Sequence, residues 1–484
     1  SGTEDHLYID ESGNISILYY YNNDAFRIRP NVLAKVSPVS FDYYHQITPA
    51  EETIIRNGDL TLAPVPYSLT LAGTNNGLRI DKMQVKKGTI RITTDHSFYN
   101  GGFLTVRFPD ATLAGNPWSF SLGPVREGIA DTTVSLAGVI FNLAGSPNTI
   151  RVTVEGLLRQ SSSVNASDQL NGTFTVTVDT FGLFEGYLGK WTLDGLQDTV
   201  RVSVFNNAYT LGDLYFIDPQ ATITFVNSIG IPADVVVEKM VAINDATGAT
   251  LDVASRLGAG AFIQVPSPAY PLTAAVVQSV TYTNANTGNA MHDFFNMKPD
   301  NVAFQVKTVI NPTGTPFNFF TDTCSLRADL RVKLPLWGHF DHLTYQDTFD
   351  LVIDRPEEIE FLELKTHIVN GMPMYALLQV YLTDDQYHIK DSLAGDDLIF
   401  IREAPVDPST FLPYPGQYGI KDTTYVIDSQ RMTNLDNVTR MLVKGVLFTP
   451  DEGTTDVRLR ADQSIRLHFA AHAKLKKTIE PWND

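Results

Sequence analysis

The chain has a single cysteine, Cys324, in 484 residues. No disulfide can close within one molecule, and neither a cysteine-based zinc centre nor a dithiol redox pair can be assembled. Basic runs are missing too: 36 Lys and Arg stand against 54 Asp and Glu, a formal charge of −18. Without a basic face nothing meets a phosphate backbone, so no nucleic-acid partner is expected. No apolar run approaches the roughly 20 residues that a membrane helix needs. Common enzyme signatures are also missing, with no Gly-x-Ser-x-Gly elbow, no His-Glu-x-x-His helix and no dinucleotide fingerprint. Gly186-Tyr187-Leu188-Gly189-Lys190 has the outline of a phosphate loop, but Phe184 and Trp191 stand where that loop needs Gly and Ser or Thr.

What the chain has in quantity is alternation. Thr89-Ile90-Arg91-Ile92, Phe103-Leu104-Thr105-Val106-Arg107-Phe108, Thr149-Ile150-Arg151-Val152-Thr153-Val154 and Thr173-Phe174-Thr175-Val176-Thr177-Val178 place apolar and polar residues in turn. Period two puts one set on a buried face and the other in water, the pattern of an antiparallel sandwich. Helical signals are few. Thr48 before Pro49 and Glu51-Glu52 predicts one short helix, Asn289 to Pro299 a second, and Asn434 to Met441 a third. Val457-Arg458-Leu459-Arg460 and Ile465-Arg466-Leu467-His468-Phe469 predict a closing hairpin. The expected fold is all-β: tandem immunoglobulin-like antiparallel β-sandwich domains with a few short helices. The length implies several cores, divided as an N-terminal segment 1–60, a sandwich region 61–214, a sandwich domain 215–350 and a C-terminal sandwich 351–484.

A short signature recurs: Asn142-x-x-Gly145-x-Pro147, Asn227-x-x-Gly230-x-Pro232 and Asn311-x-x-Gly314-x-Pro316, with a shorter relative at Asn370-Gly371-x-Pro373. The full copies stand 85 and 84 residues apart (227 − 142 and 311 − 227), about the length of a small sandwich domain. Glycine admits a positive φ, asparagine bonds nearby backbone, and proline blocks ladder pairing, so each copy should be a turn that ends one strand and aims the next. A second, weaker repeat runs from Gly186-Tyr187-Leu188-Gly189 to the Asn227 signature, and from Trp337-Gly338-His339-Phe340 to the Asn370 signature. It suggests a duplicated β unit.

Candidate chemistry is sparse. His339, Asp341 and His342 form the densest polar cluster, and on a loop both imidazoles could reach a metal with a carboxylate. Asp384 and Asp385, at a strand end, are a candidate Ca²⁺ site; no other cofactor is expected. Trp118, Trp191 and Trp337 are aromatics on which a sugar could stack.

Taken in order, Phe216-Ile217-Asp218-Pro219 running into Asn227-Ser228-Ile229-Gly230-Ile231-Pro232, Gly288-Asn289 through Pro299 leading to Asn311-Pro312, and Asn370-Gly371-Met372-Pro373 with Leu378-Gln379-Val380-Tyr381 resemble a group of uncharacterised exported, lipoprotein-like β proteins of Bacteroidota. Val309-Ile310-Asn311-Pro312 is similar to a segment of desiccation-type immunoglobulin-like domains. The resemblance implies a multi-sandwich fold and export to the periplasm-facing or surface-exposed side of the outer membrane. Membrane attachment would come only through a removed lipid anchor ahead of Ser1. It implies no catalytic residues. Two functions stay open: a non-enzymatic envelope protein that is structural, adhesive or binds an envelope partner, and a carbohydrate-binding or glycan-hydrolysing protein.

Overall fold

The computed structural model describes residues 2–22, 26–73, 77–202, 214–257, 262–272, 274–351 and 356–476. The fold is all-β, built from antiparallel sheets with short helices between them. The first lobe is organised on two long strands, Arg79–His96 and Gln169–Tyr187, which pair from Leu170 opposite His96 to Tyr187 opposite Arg79 and anchor a ten-stranded sheet. Their alternation has the predicted effect: Ile80, Met83, Ile90, Ile92, Phe174 and Phe184 face the core while Arg91, Thr173 and Thr175 do not. Aromatic stacking thickens that core, with Phe41 on Phe174 at 4.7 Å and Phe184 on Phe320 at 5.0 Å. Trp118 is buried there against Phe108, which removes it as a sugar platform.

The helix expected at Thr48 forms over Pro49–Asn57, and Thr48 and Glu51 close a reciprocal capping box. The second helical region splits into Asn284–Thr287 and Ala290–Asn296, and Asn289 caps neither with its side chain because it takes a left-handed φ of 63°. The third is corrected: the helix is Ser429–Met432, started by Asp428, and Arg440–Phe448 is already strand. Leu435 and Val438 are still buried, so their apolar spacing marked packing and not helix. The closing hairpin does not form. Val457–Arg458 pairs with Trp337–Phe340, and Ile465–Leu475 pairs with Ile359–Asn370, each finding a longer-range partner.

Two sandwiches follow the first lobe, and they share one topology. In the middle sandwich, Trp191–Arg201, Asn301–Ile310 and Ala233–Ile243 are adjacent in one sheet, with Thr250–Asp252 and Ile263–Val265 beyond. The facing sheet sets Gln220–Asn227 between Val276–Tyr282 and Leu326–Pro335. The C-terminal sandwich repeats this strand for strand. Leu343–Asp350, Arg440–Phe448 and Tyr375–Thr383 lead to Ile389–Ser392 and Ile399–Ile401, and Ile359–Asn370 lies between Gly419–Ile427 and Ile465–Leu475.

The duplicated unit is therefore the one joining Asn227 to Asn370, 143 residues on (370 − 227). The intervals of 84 and 85 residues correspond to no repeat: Asn227 and Asn311 end strands in the two facing sheets of a single sandwich.

Pairing also crosses the expected boundaries at 60 and 214. Val39–Gln46 pairs with Gln169–Tyr187, Ile15–Asn22 pairs with Leu326–Pro335, and Trp191–Arg201 belongs to the middle sandwich. Period-two patterning says that a strand has a buried face but not which strand lies beside it, so these partners left no trace in composition.

Candidate functional site

The candidate metal residues His339, Asp341 and His342 lie where the lobes meet. A three-stranded sheet of Leu214–Phe216, Trp337–Phe340 and Val457–Arg458 ties the middle sandwich to the C-terminal one. Close backbone approach demands glycine here: Gly338 has φ 154°, and a Cβ on it would sit 1.8 Å from the Tyr215 carbonyl oxygen. Gly186 has φ 157°, with the Arg79 carbonyl oxygen 2.0 Å from the corresponding point. Each stands five residues before the first strand of its sandwich, at Trp191 and Leu343, so both copies of the unit begin on the same tight crossing.

On this sheet a tyrosine sits between two histidines. Tyr215 stacks on the His339 ring at 4.4 Å, and its hydroxyl oxygen is 2.5 Å from His292 Nε2. Each imidazole has a carboxylate at its other side, with Asp456 Oδ1 2.7 Å from His339 Nδ1 and Asp293 Oδ1 3.1 Å from His292 Nδ1. The Arg256 guanidinium, 2.6 Å away, and then the His292 ring hold the Asp293 carboxyl below its ordinary range. The cluster is polar and internally paired, which makes it a lock between the Tyr215 strand, the helix Ala290–Asn296 and the C-terminal sandwich. Trp337, next along, carries the Arg458 guanidinium over its ring at 4.1 Å and so is a covered aromatic.

His342 turns instead to Asp341, with Nδ1 2.9 Å from Oδ1. Asp384 closes a turn by accepting from the backbone N–H groups of Gln386 and His388 and from His388 Nδ1, with Lys390 Nζ 3.4 Å off. Burial pushes its carboxyl up, but the bonds from His388, Gln386 and Lys390 outweigh this and bring it down to about 2. Asp385 points to solvent. Among the described residues, no group of three or more His, Cys, Asp or Glu side chains that could hold a metal converges.

The signature asparagines are placed by their bonding. Asn227 accepts from the Ile229 N–H and donates to the Ile231 and Pro266 carbonyls; Asn370 accepts from the Met372 N–H and donates to the Met374 and Arg402 carbonyls. Both are fully buried and staple the same two turns in each copy. Asn311 bonds Thr315 and Asn318 at the end of its strand. Asn142 is exposed, with a single long contact of 3.5 Å to the Ala144 N–H. Gly145 and Pro147 turn the chain beside it on the surface, whereas Gly230, Pro232, Gly314, Pro316, Gly371 and Pro373 flank the three buried asparagines.

Sequence reasoning missed a groove beside the Asn370 turn. It has a volume of about 340 Å³, and its walls include Tyr414, Tyr418, Arg460, Asp462, Gln463 and Arg466. Both tyrosines are exposed, and Asp462 accepts from Arg460 Nε at 3.2 Å. The loop Leu412–Tyr418 and the turn 460–466 come from segments about 45 residues apart, and no spacing rule links them.

No protein-family model and no curated protein matches the chain. Among solved structures, it is similar to a protein of Parabacteroides distasonis described as secreted, at 8% identity, with 60% of this chain and 89% of that one covered and a TM-score of 0.32. It also overlaps the glycoside hydrolase domain of Endo-D from Streptococcus pneumoniae, at 10% identity, covering 58% of this chain and 36% of that one with a TM-score of 0.13. The VP2 protein of infectious bursal disease virus overlaps 93% of this chain and 85% of its own at 10% identity, again with a TM-score of 0.13. Overlaps of this size carry no argument about activity. Among the described residues no helix is long and apolar enough to cross a membrane.

Proposed function

We propose that the protein is a non-enzymatic, exported binding module of the cell envelope, acting through its C-terminal sandwich. The observation that supports this is the distribution of uncovered apolar side chains. Of the 26 large hydrophobic residues exposed among the described ones, 12 fall between Phe349 and Leu475. That is well above the share of the chain that this stretch represents, and exposed apolar side chains that gather into a contiguous patch mark a contact surface. The paired carboxylates that glycoside hydrolysis needs are missing from the groove at Tyr414 and Tyr418, where Asp462 is the one acid and is held by Arg460.

Site-specific photocrosslinkers test the reading. Placed at Phe400 and Phe469 and, for comparison, at the exposed Ile129 of the first lobe, they should capture one discrete envelope partner only from the C-terminal positions. Equal, diffuse labelling at all three would reject it.

The groove favours a second reading, saccharide binding, because two exposed tyrosines stand beside Arg, Gln and Asp side chains that could bond hydroxyl groups. A glycan array would show hits that Tyr418→Ala removes; an array without hits sets this reading aside and leaves the first intact.

A further inference from the structure

The two sandwiches differ at one edge. In the middle copy the last strand, Leu326–Pro335, is covered along its outer side by Ile15–Asn22, which pairs from Ser16 opposite Pro335 to Tyr21 opposite Leu330. Tyr19 enters the core opposite Val332, and its hydroxyl donates to the Arg201 carbonyl on the other sheet at 2.8 Å, closing the seam between the sheets. In the C-terminal copy the equivalent strand, Ile465–Leu475, pairs with Ile359–Asn370 on one side and, among the described residues, with no strand on the other.

The registers align the two strands residue by residue, because Leu326 lies opposite Asn227 and Ile465 opposite Asn370. Leu330 corresponds to Phe469, Val332 to Ala471 and Leu334 to Ala473. Val332 is 7% exposed and Leu334 0%, whereas Ala471 and Ala473 are both exposed. Leu467, Phe469 and Leu475 are 40%, 45% and 63% exposed. Leu467, Phe469, Ala471 and Ala473 nevertheless lie opposite Ile368, Thr366, Leu364 and Leu362, on the face that turns towards the core. An apolar inner row on an unpaired edge is what a strand of another chain can complete.

We infer that the Ile465–Leu475 edge receives an extended strand from a different protein, with large apolar residues at alternate inward positions and acidic residues on the outward face. This inference deepens the binding role proposed above and rests on it. The inward chemistry is that of Ile17 and Tyr19, which lie opposite Leu334 and Val332 of the inner row in the duplicate. The outward chemistry follows from Arg466 and His468, on a row without an acid in a chain of net charge −18, where His472 and Lys474 already meet Glu363 at 3.5 Å and Glu360 at 2.8 Å. A second copy fits poorly as occupant. Its own Ile15–Asn22 is held within its own middle sandwich, and two molecules at −18 repel.

The probe is a labelled peptide of residues 14–22 carrying L18D and Y20E, titrated into the full chain by fluorescence anisotropy. Saturable binding is expected, weakened at least tenfold by Phe469→Asp and by Ala471→Lys, each with an unchanged circular-dichroism spectrum and melting temperature. Leu7→Asp, on the exposed first strand, should leave binding as it was. Two variants at the edge guard against one of them simply misfolding. No binding, or binding indifferent to both edge variants, overturns the inference; so does self-association in sedimentation that Phe469→Asp abolishes, since the occupant is then a second copy. Failed peptide binding alongside specific crosslinking at Phe400 would dismiss the strand and keep the binding role.

Discussion

At the scale of single residues, the signature asparagines separate by burial and bonding, although the sequence presents them alike. Removing the Asn370 side chain leaves the Met372 N–H and the Met374 and Arg402 carbonyls without their partner in a dry turn. Asn370→Ala should therefore cost about 1–3 kcal/mol for buried groups left unsatisfied, and Asn227→Ala a similar amount. Asn142→Ala, on the surface, should stay within about 0.5 kcal/mol of wild type; urea denaturation of the three variants checks the order. Asp384 gives a pH signature. Its folded carboxyl titrates at about 2, below the ordinary 3.8. Its contribution is therefore fully present above about pH 4 and is lost as pH falls towards 2, the sign of a depressed acid. Asp384→Asn should be less stable than wild type at pH 7, with the gap closing between pH 4 and pH 2. A gap that stayed constant through that window would show that the carboxylate charge is not what holds the turn.

Among elements, the strand Ile15–Asn22 has the largest consequence for its size. Its three tyrosines could be read from sequence only as alternating between core and water, and Tyr19 buried beside exposed Tyr20 is that alternation. What no local pattern contained was the partner strand more than 300 residues away, because pairing is decided by which apolar edge remains open once the sandwich has formed. Tyr19→Ala should cost about 3–5 kcal/mol, the range for deleting a large buried aromatic side chain. Tyr19→Phe keeps the packing and loses only the bond to the Arg201 carbonyl, about 1 kcal/mol. Chemical denaturation separates the two; equal losses would mean that the hydroxyl, and not the ring, closes the seam. The same limit on local information explains the His339 cluster. His339 was visible as chemistry-bearing, but Tyr215 and Asp456 reach it, and His292 reaches Tyr215, from three other stretches whose spacing follows no motif.

In the whole molecule, the duplication provides an internal control that a single sandwich could not. Alternation revealed the all-β class, and the order of turns revealed that a unit recurs. The evenly spaced Asn-x-x-Gly-x-Pro copies misplaced its period, since turn chemistry repeats wherever a strand must end, inside a domain as readily as between domains. With topology matched strand for strand, differences in local stability between the copies report on edge closure and not on fold. Amide hydrogen exchange should show Ile465–Leu475 opening well before Leu326–Pro335, because the former has no outer partner among the described residues and its inner row is wet. Ile359–Asn370, central in its sheet, should follow the slower pattern of Gln220–Asn227. Saturation with the strand peptide should then slow exchange along Ile465–Leu475 and leave Leu326–Pro335 unchanged. If the two last strands exchange alike without peptide, the covering strand contributes nothing to closure, and the contrast from which the partner was inferred disappears with it.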